Sequence, residues 1–249
     1  MLSTLSCGCQ QLPALVFFHG FLGCKEDFLP LMKILEKDFF CLSIDLPGHG
    51  SSKCEVTLQD IYDTIQSFSL NSPLAVGYSL GGRILLEIDE LFPNLFQRLF
   101  FFSSHPGLSS IEEKLHRMEK ENDWILKLKN IPFSQFLEEW YSQPLFKTLK
   151  SNTSLYAEIL NRRQNQIPEH LSQILDKFRL SKQKEYLSFS KPAFFFYGDQ
   201  DTDYLHLYQN KKWQVPIEKI SQSGHAVHIE NPLECARKII KCLPWKIPT

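Results

Sequence analysis

The chain has no excess of charge: 27 Lys and Arg stand against 28 Asp and Glu, a formal net charge of −1 over 249 residues. That balance excludes the global basic field that nucleic acid or an anionic membrane would attract, so any anion recognition must be local. Long apolar runs are missing too. No uninterrupted stretch approaches the roughly 18 residues of a membrane span, and Met1-Leu2-Ser3-Thr4-Leu5-Ser6-Cys7-Gly8-Cys9 has neither the basic region nor the apolar core of an export signal. The expectation is a cytoplasmic protein with no membrane span and no nucleic-acid partner. Seven cysteines, an odd number at irregular spacing (Cys7, Cys9, Cys24, Cys41, Cys54, Cys235, Cys242), make no disulfide framework and suit a reducing compartment. Cys7-x-Cys9 lacks a second pair or a nearby His to complete a tetrahedral metal site. Phosphate loops, dinucleotide fingerprints and zinc-type His-Glu-x-x-His helices are all absent, so neither cofactor nor metal is expected.

What is there is a periodic α/β pattern. Short apolar runs at Ala14–Phe18, Phe40–Ile44, Leu74–Val76, Leu99–Ser103 and Ala193–Tyr197, with a weaker one near Val215–Ile220, alternate with helical stretches. Such alternation predicts a mostly parallel sheet wound on both faces, whose strands are apolar throughout because helices cover them twice. Only about a dozen residues precede the first run, so an N-terminal antiparallel hairpin is expected to be missing or rudimentary. Between Ser103 and Ser190 charge rises, glycine nearly vanishes after Gly107, and Ile111, Leu115 and Met118 recur at helical spacing. The organisation expected is one domain: an α/β core over residues 1–104 and 191–249, and a helical cap insertion over 105–190.

The chemistry concentrates at Leu74-Ala75-Val76-Gly77-Tyr78-Ser79-Leu80-Gly81-Gly82-Arg83. A Gly-x-Ser-x-Gly turn between a strand and a helix is a nucleophile elbow, because the glycines admit the sharp bend that exposes the serine Oγ. A serine hydroxyl needs a histidine to take its proton and a carboxylate to orient that histidine. Downstream, Gly198-Asp199-Gln200-Asp201 and Ser221-Gln222-Ser223-Gly224-His225-Ala226-Val227-His228 supply both in the order Ser, Asp, His of the α/β-hydrolase arrangement. Gly224 permits the tight loop that would bring His225 over the elbow, and His228 is its rival. The strand ending Val16-Phe17-Phe18-His19-Gly20-Phe21 offers the Phe21 amide, beside that of Leu80, as an oxyanion hole. Asp45-Leu46-Pro47-Gly48-His49-Gly50-Ser51-Ser52 reads first as a turn.

Several segments together resemble one family: Tyr78 to Arg83, His105-Pro106-Gly107-Leu108, Arg117 seven residues before Trp124, Trp140-Tyr141-Ser142-Gln143-Pro144-Leu145-Phe146, and Gly224 to Pro232. They are similar, in register from about Pro13 to the C-terminus, to the MenH family of menaquinone biosynthesis. Its members are 2-succinyl-6-hydroxy-2,4-cyclohexadiene-1-carboxylate synthases with the α/β-hydrolase fold. The resemblance implies a lyase that expels pyruvate from 2-succinyl-5-enolpyruvyl-6-hydroxy-3-cyclohexene-1-carboxylate, a small polycarboxylate, without a cofactor. It implies a triad of Ser79, Asp201 and His225, Asp201 being taken from the family's Gly-x-x-Asp pattern with Asp199 and Asp203 close by. It also implies substrate contacts from Tyr78, Arg83, Arg117, Trp140 and Arg163, with Arg162 an alternative to Arg163.

Elementary electrostatics agrees with the arginines, since carboxylates buried under a cap require fixed positive charge and arginine's planar fork pairs with them bidentately. Arg83 lies four residues after Ser79, on the same face of the elbow helix. Two competing functions remain from the residues alone. One is a serine carboxylesterase or carbon–carbon bond hydrolase of the same fold, with the same triad and no need of the arginines. The other is a binding protein without chemistry, for which a complete Ser, Asp, His set is superfluous.

Overall fold

The computed structural model describes residues 1–52, 55, 57–210 and 213–244. Cys54 lies outside them; the other six cysteines are free thiols. Seven strands, β1 (Thr4–Cys7), β2 (Ala14–Phe18), β3 (Phe40–Ile44), β4 (Leu74–Tyr78), β5 (Arg98–Phe102), β6 (Ala193–Gly198) and β7 (Ile217–Ile220), form one sheet. Its order is β1-β3-β2-β4-β5-β6-β7. Every pairing is parallel except that of β1 with β3, so the N-terminal hairpin is reduced to a single antiparallel edge strand. The last strand starts at Ile217 rather than Val215. Pro216 has no N–H for the ladder, and its carbonyl accepts from Phe195 N–H at 2.9 Å.

The helices are α1 (Leu29–Leu35), α2 (Leu58–Gln66), α3 (Leu80–Leu91), α4 (Ile111–Asn130), α5 (Phe133–Tyr141), α6 (Lys147–Ser151), α7 (Thr153–Arg163), α8 (Pro168–Lys177), α9 (Thr202–Asn210), α10 (Val227–Glu230) and α11 (Pro232–Lys241). Because side chains alternate across a strand, the sheet divides its apolar residues between two cores. Leu15, Phe17, Val76, Phe100 and Phe196 face α1, α11 and the insertion. Val16, Phe18, Ala75, Phe101 and Phe195 face Ile61 of α2 and Ile84, Leu85 and Ile88 of α3. Each fully buried side chain of this size contributes about 1.5–3 kcal/mol.

Helices α4 to α8 lie between β5 and β6. Helix α4 begins at a capping box, in which the Ser110 Oγ accepts from Glu113 N–H while the Glu113 carboxylate accepts from Ser110 N–H. Its apolar stripe, however, faces outward: Ile111, Leu115 and Met118 are 78, 52 and 38% exposed. The opposite side presents Glu113, Arg117, Glu121 and Trp124 to a cavity. Hydrophobic spacing locates the helix, but here its inner face borders a polar site and so carries charge. Among the described residues no helix is long and apolar enough to cross a membrane.

Truncating Phe101 in the central sheet to alanine is expected to cost about 3–5 kcal/mol in urea unfolding, whereas Leu115→Ala changes stability by less than about 0.5 kcal/mol. A large loss at Leu115 would show that the stripe is covered.

Candidate active site

The elbow is strained at the serine. Ser79 has φ 49° and ψ −111°, a region that L-residues avoid, and it joins the end of β4 to the start of α3. Gly77 and Gly81 make that geometry possible: a Cβ on Gly77 would stand 2.5 Å from the Gly82 Cα, and one on Gly81 would run into the Phe18 and His19 carbonyl oxygens. Ser79 N–H donates to the Phe102 carbonyl at 3.0 Å and Ser104 Oγ donates to the Ser79 carbonyl at 3.2 Å, so β5 holds the bend from below.

Asp201 follows β6 and His225 follows β7, so all three side chains gather at the C-terminal ends of the strands. His225 Nδ1 lies 2.8 Å from Asp201 Oδ2 and Nε2 lies 3.4 Å from Ser79 Oγ. The second distance is long for a hydrogen bond, as is common before substrate draws the pair together. Both Asp201 and His225 are almost fully buried. His228 is not near the serine. It packs against Phe28 and Tyr78 at ring separations of 4.4 and 4.3 Å, neither of its nitrogens has a hydrogen-bond partner, and burial pushes its pKa down to about 3. The two rival carboxylates also lie elsewhere: Asp199 accepts from Ser223 N–H, and Asp203 borders the cavity from α9.

Glu230 was not singled out by sequence reasoning, although it lies in the Gly224 to Pro232 motif. Its carboxylate accepts from Gly224 N–H at 3.1 Å and Ala226 N–H at 3.0 Å, straddling His225 and fixing its loop.

Above the triad lies a cavity of about 940 Å³ walled by the core loops and by helices α4 to α8, with Phe21 and Leu80 on its border beside Ser79. Tyr78 forms its floor: the ring is so close under the first loop that a Cβ on Gly20 would meet it at 2.6 Å. Trp140 forms part of the roof, 4.9 Å from the rings of both Phe21 and Trp124. His19 and His49, both fully buried, brace the loop from the core side. His19 Nε2 accepts from Leu46 N–H at 2.9 Å and His49 Nε2 from Leu22 N–H at 3.2 Å. Burial drives both pKa values down, that of His49 to about 3, so these bonds are made by neutral rings.

The three arginines expected at the site all border the cavity, but in different states. Arg83, 7% exposed, donates Nη1 to the Phe178 carbonyl at 2.6 Å, and no carboxylate among the described residues forms an ion pair with it. Burial, then the charge of Arg117, lowers its pKa to about 10. Arg117 is partnered by Glu121 at 3.0 Å, and Glu121 also accepts from Leu180 N–H and Ser181 Oγ. Arg163 has its fork already occupied. Its guanidinium forms a bidentate pair with Asp27 at 3.0 and 2.6 Å and donates to Tyr141 Oη at 3.1 Å. Arg162 points to Glu158 at 2.7 Å and to Asp27 at 3.3 Å. No sequence signal marked Asp27, because its partner is 136 residues away.

Burial alone would raise the Asp27 pKa, but the Arg163 charge and hydrogen bonds, with the Arg162 charge behind them, hold it at about 2. A carboxyl so depressed stabilises the fold at pH above its unfolded value near 4, and that contribution is lost as pH falls from about 4 to about 2. Asp27→Asn is expected to destabilise the protein by about 3–5 kcal/mol at pH 7. The gap to the parent chain should narrow by about 2 kcal/mol by pH 2, as measured by urea unfolding across pH. A constant gap would show that the ion pair contributes nothing to acid sensitivity.

Comparisons with known proteins agree with this geometry. A family model described as the alpha/beta hydrolase fold matches residues 13–232. The 2-succinyl-6-hydroxy-2,4-cyclohexadiene-1-carboxylate synthase of Photorhabdus laumondii is 28% identical over 92% of this chain and 84% of its own. A Haemophilus influenzae protein that carries the same name provisionally is 31% identical over 92% of this chain and 96% of its own. Among solved structures, MenH from S. aureus superposes with a TM-score of 0.86 at 21% identity, covering 96% of both chains. A thermophilic esterase from Thermogutta terrifontis gives 0.78 at 16% identity, covering 96% of this chain and 92% of its own. At those identities the two structures attest the fold alone, while the sequence relatives reach further. The chain belongs to the α/β-hydrolase family, in the branch of the 2-succinyl-6-hydroxy-2,4-cyclohexadiene-1-carboxylate synthases.

Proposed function

We propose that the chain is a lyase that eliminates pyruvate from 2-succinyl-5-enolpyruvyl-6-hydroxy-3-cyclohexene-1-carboxylate, giving the conjugated 2-succinyl-6-hydroxy-2,4-cyclohexadiene-1-carboxylate of menaquinone biosynthesis. The observation that carries this reading is Arg83, a buried guanidinium without a carboxylate partner, one helical turn from Ser79 and facing the same cavity. An ester hydrolase with a neutral substrate has no use for such a charge and would bear its desolvation cost. A polycarboxylate substrate supplies the missing partner.

In this reading Ser79, activated by His225, removes a ring proton or relays it to His225, and Asp201 stabilises the imidazolium that results. The electron pair left on the ring moves to form the new double bond as the enolpyruvyl carbon–oxygen bond breaks, and the departing enolpyruvate becomes pyruvate. No acyl-enzyme forms. The Phe21 and Leu80 amides stabilise charge developing on the substrate. Arg83 and Arg117 hold its carboxylates, Arg163 contributes from the far wall, and Tyr78 and Trp140 shape the floor and roof. Residues 105–190 act as the cap of a core formed by 1–104 and 191–249. The free thiols of the six described cysteines fit a cytoplasmic enzyme.

The test is pyruvate release by the purified protein, coupled to lactate dehydrogenase and measured above the spontaneous background. Ser79→Ala and His225→Ala are expected to lower kcat by several orders of magnitude, with substrate binding retained. More than about a tenth of the parental rate in Ser79→Ala would overturn the base assignment. Arg83→Ala should lose about 10²-fold or more in kcat/KM on the succinylated substrate, the value of a charge-assisted pair and its unpaired remainder, and far less on p-nitrophenyl acetate. Equal losses on both, or ester cleavage without pyruvate release, would favour the hydrolase reading.

A further inference from the structure

We propose that Gln166, in the segment joining α7 to α8, is a positioning residue that sets the geometry of the oxyanion loop when the helices are seated over the site. The proposal rests on the reading of the Phe21 amide as an oxyanion donor. Gln166 is 7% exposed, and its carboxamide is used at both ends. Nε2 donates to the Gly23 carbonyl at 2.8 Å, with the Leu22 carbonyl at 3.4 Å, and Oε1 accepts from Gly50 N–H at 2.9 Å. One side chain thereby joins the loop after β2 to the loop after β3, from an element more than 100 residues downstream of either.

The loop it holds cannot hold itself. Gly23 N–H donates to the Gly20 carbonyl at 3.0 Å, closing a four-residue turn with Phe21 and Leu22 at its centre. Leu22 has φ 64°, a conformation that costs a leucine on the order of 1 kcal/mol or more. Relaxing it to negative φ would rotate the Phe21–Leu22 peptide, withdraw Leu22 N–H from His49 Nε2 and re-aim the turn around Phe21. His49 restrains the amide side of that peptide from the core. Gln166 restrains the carbonyl side of the turn, and through Gly50 it also restrains the loop that carries His49. The Phe21 ring is gripped in the same way, between His49 at 5.8 Å and Trp140 at 4.9 Å. Seating α7 and α8 and aiming the oxyanion donor are therefore one event.

Gln166→Ala and Gln166→Glu test this in the full-length enzyme. At pH 8 the glutamate keeps the acceptor for Gly50 N–H but loses the donor to the Gly23 carbonyl. On protonation it becomes isosteric with glutamine and regains that donor. Both variants are expected to lower kcat for pyruvate release about 10- to 100-fold at pH 8, within the range set by loss or displacement of one oxyanion donor. KM should stay within about threefold, because the arginines are untouched. The ratio of Gln166→Glu to parental kcat should rise at least about fivefold between pH 8 and pH 5.5, while that of Gln166→Ala stays flat. A purely structural glutamine would lower the melting temperature but leave no such pH signature. Should Gln166→Ala fail to fold, the pH ratio of Gln166→Glu decides alone. A flat ratio, or a kcat within about twofold of the parent in both variants, overturns the proposal. If the parental protein cleaves p-nitrophenyl acetate but releases no pyruvate, the reaction assignment falls, and the same ratios on the ester decide the role of Gln166.

Discussion

Burying positive charge inside a folded protein is the constraint on which this site turns. A guanidinium removed from water costs several kcal/mol unless something answers it, and of the three that border the cavity Arg83 and Arg163 are buried while Arg117 is partly exposed. Two are answered internally. Asp27 takes Arg163 in a bidentate pair and Glu121 takes Arg117 in a single one. Arg83 has one backbone carbonyl. If the substrate is the proposed polycarboxylate, the consequence is a graded field: a carboxylate would gain most at Arg83, less at Arg117, where it would share the cation with Glu121, and least at Arg163, whose fork is already filled. The internal carboxylates also let the cavity exist before substrate arrives, since three unpaired cations would repel one another and the cap they hold.

The second constraint is that reacting groups must be aimed by backbone, and here the aim is fixed by buried groups that accept or donate as neutral species. Ser79 is held at positive φ by β5 and by the absence of Cβ atoms at Gly77 and Gly81. The first loop is held by His19 and His49, which burial keeps neutral with Nε2 as acceptor. A histidine that took up a proton at pH 6 would lose that acceptor and release the loop. Burial, which lowers the pKa at both positions, therefore favours the neutral rings that hold this turn.

Much of this was legible in the sequence, and the parts that were not have identifiable causes. Strands such as Ala14–Phe18 declare themselves because both faces are covered, so every residue is apolar. Edge strand β1 does not, because Thr4–Cys7 is short, half-exposed and mixed in polarity. The triad candidates stood out because Gly77 and Gly81 bracket Ser79 two residues away on either side and Gly224 directly precedes His225. Asp27 and Gln166 were invisible because their roles depend on partners 136 and 116 or more residues away, and no local pattern records such a pairing. The outward stripe of α4 shows a further limit. Periodicity separates two faces of a helix, but it assigns the apolar one to the interior only if the interior is apolar.

What separates an eliminating enzyme from an esterase on this scaffold is then not the triad. The fold that carries it superposes on an esterase about as readily as on a MenH structure. The features that favour elimination lie around the triad: a buried cation on the elbow helix, a partly exposed one on α4 with its own counter-ion, and the aromatic roof at Trp140. Hydrolysis needs a carbonyl presented to Ser79 Oγ, whereas elimination needs a carbon acid whose proton lies within reach of the same atom and whose charge is caught nearby. A substrate clamped by its carboxylates to Arg83 and Arg117 is held with its ring, rather than an ester carbonyl, over the serine. On the proposed reading, the choice of reaction would be made by where the arginines place the substrate, and the triad would carry out whichever proton transfer it is offered.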